Sequence, residues 1–431
     1  MITINTAKSQ AAESRERERE RVNARRKFFN FQNLYRAYLD CRKHKRRTHN
    51  AAEFELNFES ELLKLEEELQ SRAYRPGRSI CFCVEEPTLR EIFAADFRDR
   101  VVHHLLYNFL EPIFEPKFIH GSYACRKNKG IHNSIGNLQT AIRKLTVNHR
   151  RVAHYLHLDI CGFFMALNKD ILFRLLESHL KNPDALWLAK TIIFNNPVKN
   201  HAMKGNLSLF AKLPSHKSLF HVPENQGLPI GNLTSQFFAN VYLNELDQFA
   251  KHALKAKYYF RYVDDFLLLS KDKKELLDWR DKIGIFLKER LKLELHPDKQ
   301  ILGRTDSGID WLGYIIKPGY MLVRKRIVKN FKRKLFEFNK ELAPYQGRVS
   351  SGQLMLPFAA AKPPSELVRK ILGVVNSYLG LFGHADTFRL RRKIWQNHFG
   401  KIFDFLEPAD GKLKIARIRE DFLARPKRAG K

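Results

Sequence analysis

The sequence predicts an α+β fold, and three observations carry that expectation. Residues 152–160 (VAHYLHLDI) alternate Leu156, Leu158 and Ile160 with Tyr155, His157 and Asp159, the period-two pattern of a half-buried strand. Residues 258–270 (YYFRYVDDFLLLS) read as two apolar strands around a pair of aspartates. The stretches at 25–47, 53–70 and 98–110 instead repeat their apolar residues at helical spacing. With 431 residues, 44% of them hydrophobic, the chain can bury two or three domain cores.

In chain order, SRERERER at 14–21 sets opposite charges at i,i+3 and like charges at i,i+4, so a solvated marginal helix or disorder is expected. In 25–47, Phe28, Phe31, Leu34, Tyr35, Tyr38 and Leu39 form one face that can dock on protein, while Lys and Arg leave the other to phosphates. Residues 53–70 predict a helix with an acidic outer face, YRPG at 74–77 a turn, SICFCV at 79–84 a strand, and Arg98–Leu110 a long helix. Residues 195–226 read as an irregular insertion, and 343–364, with four prolines and two glycines, as a linker or flap. From 365 onward the pattern is helical and basic, as in RLRRKIW at 389–395, and no internal repeat is present.

The charge balance points to a polyanionic partner. Lys and Arg number 77 against 46 Asp and Glu, a net +31, which suits nucleic acid first and an anionic membrane surface second. No apolar run approaches the roughly 20 residues of a bilayer span, and the amino terminus has no hydrophobic signal core. A cytoplasmic setting is expected. Cys41, Cys81, Cys83, Cys125 and Cys161 form no CxxC pair, which argues against a zinc knuckle and fits a reducing compartment. His103 and His104 point apart on a helix, and His149, His154 and His157 read as strand and loop residues, not ligands.

Asp159, Asp264 and Asp265 are the candidate catalytic residues. An ordinary polar turn would explain the adjacent pair alone. Its apolar flanks, and a second strand-borne aspartate about a hundred residues upstream, point instead to one groove. Carboxylates converging there repel unless a cation intervenes, and hard oxygen ligands suit Mg²⁺, with Mn²⁺ a possible substitute. Two such ions can clamp the attacking and leaving oxygens of a phosphoryl displacement. Asp159 and Asp264 would bridge them, Asp265 would support the site, and the Ile160 carbonyl is a further candidate ligand.

These residues resemble a known family, the reverse transcriptases. YVDD at 262–265 resembles their YxDD box, and LDICGFF at 158–164 their first aspartate motif. QGLPIGNLTSQFFANVYLNELDQF at 226–249 resembles the nucleotide-pocket block; LKLELHPDK at 291–299 and WLGYII at 311–316 resemble the two motifs that follow. DRVVHHLLYNFLEPIFEPKF at 99–118 and GSYACRKNKG at 121–130 resemble the finger motifs, so that seven blocks occur in the family's order. The resemblance implies a right-hand polymerase: a basic helical extension at 1–73, fingers and an antiparallel palm at 74–318, and a helical basic thumb and tail at 319–431.

It also implies site roles. Phe164 would pack under the sugar and exclude a 2′-hydroxyl. Arg90, Arg100 and Arg126 are candidates to grip the triphosphate, which a planar guanidinium bonds bidentately. Lys299 would protonate departing pyrophosphate, and Trp311, Leu312 and Gly313 would form the primer grip. Many members carry Gln-Gly and Ser-Pro pairs in the pocket block; here the pairs are Ile230-Gly231 and Ser235-Gln236. That departure, with SYLGLFGHADTFRLRRKI at 377–394, is similar to the enzymes of diversity-generating retroelements. Those copy a template-repeat RNA with errors opposite adenine, alongside a small basic accessory protein and a structured RNA. The expected substrates are template RNA, cDNA primer and dNTPs. A phage-defence reverse transcriptase and a catalytically silent RNA-binding scaffold are the rival functions.

Overall fold

A computed structural model of the chain describes residues 22–23, 25–43, 49–85, 88–345 and 363–423. The charged stretch 14–21 and most of the proline-rich segment 343–364 lie outside those residues. Two compact units divide the chain: Met1–Ser134 with Leu156–Leu302, and Ile135–Tyr155 with Gly303–Lys431. These limits differ from the sequence boundaries at 73/74 and 318/319. Packing explains the first difference. The helix Phe31–Arg42 buries Leu34, Ala37, Tyr38 and Cys41 in the same core that receives Val101, Leu105 and Leu106 of the helix Phe97–Phe114. The amino-terminal helices are therefore part of the first unit.

Local chemistry sets the helix ends. The run at 53–70 is two helices, His49–Leu56 and Phe58–Gln70, because Asn57 leaves helical backbone (φ −128°, ψ 28°). Asp96 caps Phe97–Phe114 by accepting from the Arg98 amide, and Asn168 caps Lys169–Glu177 by accepting from that of Ile171.

Seven strands lie in the first unit or run to its limits: β1 (Ser79–Val84), β2 (Arg90–Ala94), β3 (His154–Ile160), β4 (His201–Met203), β5 (Tyr258–Tyr262), β6 (Asp265–Ser270) and β7 (Leu295–Arg304). β1 pairs antiparallel with β2 and parallel with β4, so the insertion at 195–226 is not wholly irregular. The second sheet has the order β5-β6-β3-β7. The His-Pro-Asp expected to turn at 296–298 lies inside β7. That strand is an edge, where Pro297 forfeits no ladder bond that matters. The helix Leu233–Gln248 buries residues on nearly every side and runs through the core.

The second unit carries β8 (Ile309–Trp311), β9 (Tyr314–Lys317) and β10 (Tyr320–Val323) as an antiparallel meander. The helix Lys325–Glu341 turns Phe331, Leu335 and Phe338 inward and leaves Lys325, Arg326, Lys329, Arg333 and Lys340 exposed. Phe331 stacks on Tyr378 of Ser365–Gly383, with ring centres 4.6 Å apart. Phe388–His398 and a small hairpin, β11 (Leu406–Pro408) with β12 (Ala416–Ile418), complete it. The chain is thus α+β, with mostly antiparallel pairing. Among the described residues, no helix is long and apolar enough to cross a membrane.

Candidate active site

β5 and β6 register Tyr262 opposite Asp265, which leaves Val263 and Asp264 as a two-residue turn. Val263 sits at φ +58°, a left-handed conformation costly for a β-branched residue. β3 lies beside β6, and the Ile160 amide donates to the Asp264 carbonyl at 3.3 Å. Asp159 is thereby brought to the hairpin, where its carboxyl interacts electrostatically with that of Asp265. Lys299 Nζ donates to Asp159 Oδ2 at 2.9 Å, and His157 Nε2 lies 3.3 Å from Asp265 Oδ1.

The electrostatics separate the three carboxyls. Burial, then the charges of Asp159 and Asp265, push Asp264 up to about 6. Burial also raises Asp159, against the opposing pull of Lys299. Asp265 is only half-buried, and its contacts with His157 and Asp159 hold it below the usual carboxylate value. Among the described residues, no three His, Cys, Asp or Glu side chains close around an ion by themselves. Converging carboxylates without a full cage fit a hard cation of the magnesium type, which keeps waters and leans on substrate phosphates. Asp159, Asp264 and Asp265 are the residues that could hold it, with Ile160 at the end of β3 beside them.

The pocket block packs next to the strand bearing Asp159. Leu228 N donates to Phe164 O at 2.8 Å, and Gly227 N to Leu167 O at 2.9 Å. Phe164 and Ile230 pack on one apolar cluster built from Cys81, Phe93, Met165 and Leu219. Gly231 has φ +126°, and a Cβ there would fall 2.8 Å from Ile92 Cγ2, so this close approach to β2 requires glycine. Gln236 is exposed on the pocket helix.

The arginines divide. Arg90 is exposed at the start of β2, whereas Arg100 Nε donates to Ala95 O at 2.7 Å. Arg126 forks onto Glu115 and donates to the carbonyls of Ile119 and Ser122, leaving its side chain 6% exposed. In the second unit, Trp311 is fully buried, and Leu312 and Gly313 form the turn between β8 and β9. Apolar contact from that hairpin would come from its tip, not from the tryptophan ring.

Sequence reasoning passed over two features. His157 was read as a plain strand residue, yet it faces Asp265. Arg261 was not singled out, although a charged residue inside the apolar run YYFRY is itself a signal of a buried partner. That partner is Asp247, at 2.6 Å.

Residues 86–316 match the family model described as reverse transcriptase (RNA-dependent DNA polymerase). Protein YkfC of Escherichia coli K12 is 24% identical over 300 residues, 62% of this chain and 72% of that protein. The group II intron-encoded protein LtrA of Lactococcus lactis subsp. cremoris is 22% identical over 323 residues, 61% of this chain; the chain thus spans 50% of LtrA's length. Among solved structures, apo telomerase from Candida tropicalis, truncated from its C-terminal domain, aligns with a TM-score of 0.42 and 11% identity over 57% of this chain and 55% of that one. The family model covers more than half of the 431 residues, and the chain belongs to the reverse transcriptase family.

Proposed function

We propose that the chain synthesises cDNA on an RNA template by nucleotidyl transfer at Asp159, Asp264 and Asp265. The observation that carries this reading is the meeting of β3 with the Val263–Asp264 turn, which gathers carboxyls distant in sequence. A pair of magnesium ions bound there would lower the pKa of a primer 3′-hydroxyl and neutralise charge on the leaving pyrophosphate. Asp159 and Asp264 would hold the ions, and Asp265 would support them. Lys299 orients Asp159 and is available to the pyrophosphate as an acid. Phe164 closes the floor beneath the sugar. Arg90 and Arg100 are the arginines left to meet the triphosphate. The exposed lysines and arginines of Lys325–Glu341 hold the template–primer backbone.

Within the family we infer the diversity-generating role: error-prone copying of a template-repeat RNA, with a small basic accessory protein and a structured RNA as partners. Support comes from the Ile230-Gly231 and Ser235-Gln236 pairs. Ile230 sits in the apolar cluster beside Phe164, and its side chain offers no donor or acceptor to restrain a base pair. Primer extension on an adenine-containing RNA, followed by sequencing of the cDNA, tests both levels. Errors concentrated opposite adenine support the retroelement role. A flat error spectrum favours phage defence, and absence of synthesis leaves an RNA-binding scaffold.

A further inference from the structure

We propose that Arg261 is a positioning residue for the catalytic turn: its guanidinium holds the Val263 carbonyl and so aims Asp264 and Asp265. The inference rests on the polymerase reading above and adds to it the device that sets the carboxylates' direction.

An arginine has five N–H donors in a rigid planar fork. Arg261, with no exposed side-chain surface, finds an acceptor for each. Nε donates to Asp247 Oδ1 at 2.7 Å, and one Nη2 proton to Asp247 Oδ2 at 2.6 Å. The other Nη2 proton reaches Ser122 Oγ at 3.1 Å. Nη1 donates to Asn240 Oδ1 at 3.3 Å and to the Val263 carbonyl at 3.0 Å. Four of the five bonds thus anchor the fork, and the fifth reaches the turn.

The anchors are themselves fixed. Asp247 and Asn240 lie on the pocket helix Leu233–Gln248. Asn240 Nδ2 donates to Ala124 O at 2.8 Å, and Tyr259 Oη to Asp247 Oδ1 at 2.9 Å. The Arg261 backbone is clamped between Gly121 O (2.8 Å) and Tyr123 N (3.0 Å).

Stability alone is a poor reason for this construction, since well-packed apolar side chains usually serve as well as a buried ion pair. The network supplies direction. Val263 occupies a left-handed conformation that costs a β-branched residue energy and that the chain would otherwise leave. Its carbonyl is bonded to a buried guanidinium fixed by four other hydrogen bonds, so the peptide entering Asp264 is held in one orientation.

Arg261→Lys keeps the charge but offers three donors and no planar fork. We expect kcat for RNA-templated extension to fall about 10–100-fold, with KM for dNTP unchanged within about twofold. Mn²⁺ binding, followed by electron paramagnetic resonance without substrate, should weaken about tenfold. Adding Val263→Gly should restore most of both losses, because glycine takes the left-handed turn without strain. If Arg261→Lys does not fold, Asp247→Asn carries the same expectations at smaller size, since it loosens the anchor and keeps all five donors. Wild-type kcat and Mn²⁺ affinity in the folded variant, or losses that Val263→Gly leaves untouched, would overturn the proposal. Inactive wild-type protein would instead overturn the polymerase reading itself.

Discussion

Two clusters of charge, one buried and one half-buried, lie within a few residues of each other on one hairpin, and they follow opposite rules. Around Arg261 every donor has an acceptor, and the charge of Asp247 is matched in place. Around Asp264 like charges are pressed together, so its carboxyl is pushed up to about 6 by burial and its neighbours. The first cluster is complete within the protein; the second sets the single lysine Lys299 against three carboxyls. A fold that satisfies one aspartate so fully and crowds another so closely marks the crowded one as the place where something else binds.

The largest test of this contrast removes the satisfied side. Arg261→Met should destabilise the protein by about 3–5 kcal/mol in urea unfolding, because Asp247 is left buried and unpaired. Changing Asp247→Leu as well should recover most of it, and a double variant as unstable as the single would erase the distinction.

The neighbourhood of the crowded cluster comes next. Phe164→Ala should cut discrimination against ribonucleotides by about 10–200-fold, the scale set by opening a steric pocket, as measured by kcat/KM for rNTP and dNTP. Unchanged discrimination would remove Phe164 as the sugar gate.

A smaller effect tests the crowding itself. The folded-state value of Asp264 lies above its ordinary 3.8, so the folded protein holds that proton more tightly than the unfolded chain. Its destabilising effect is absent below about pH 4 and fully present above about 6. Asp264→Asn should therefore raise the melting temperature of metal-free protein by a few degrees at pH 8, leave it unchanged near pH 4, and lose its advantage as Mg²⁺ is added. Equal melting at pH 8 would contradict the charge crowding. Smallest of all, Ile230→Gln should lower errors opposite adenine by a few-fold in sequenced cDNA, since a polar side chain returns to the pocket.

Much of the site was legible because burial leaves a pattern. Asp159 lies on the face of a period-two strand opposite its apolar residues, and Asp264 and Asp265 interrupt runs too apolar for a surface hairpin, so their exceptional place shows in the sequence. Arg261 breaks the same kind of run, but its meaning depends on Asp247, fourteen residues upstream on a helix whose contacts no local pattern reveals. Arg126 illustrates the converse: its motif suggested a phosphate ligand, whereas its fork is spent on Glu115 and two carbonyls. His-Pro-Asp looked like a turn, because sequence alone does not say that β7 is an edge strand. The amino-terminal helices are a related case. Their apolar face was visible, but the core that receives it was not.

The most direct measurement is primer extension on an RNA template, with and without Mg²⁺, comparing the wild type with Asp159→Asn and Asp264→Asn, each confirmed folded by thermal melting. We expect metal-dependent synthesis by the wild type and a loss of about 10³-fold or more in both variants, the size of several kcal/mol of transition-state stabilisation. Wild-type rates in either folded variant, or synthesis that persists without divalent metal, would contradict the shared carboxylate site.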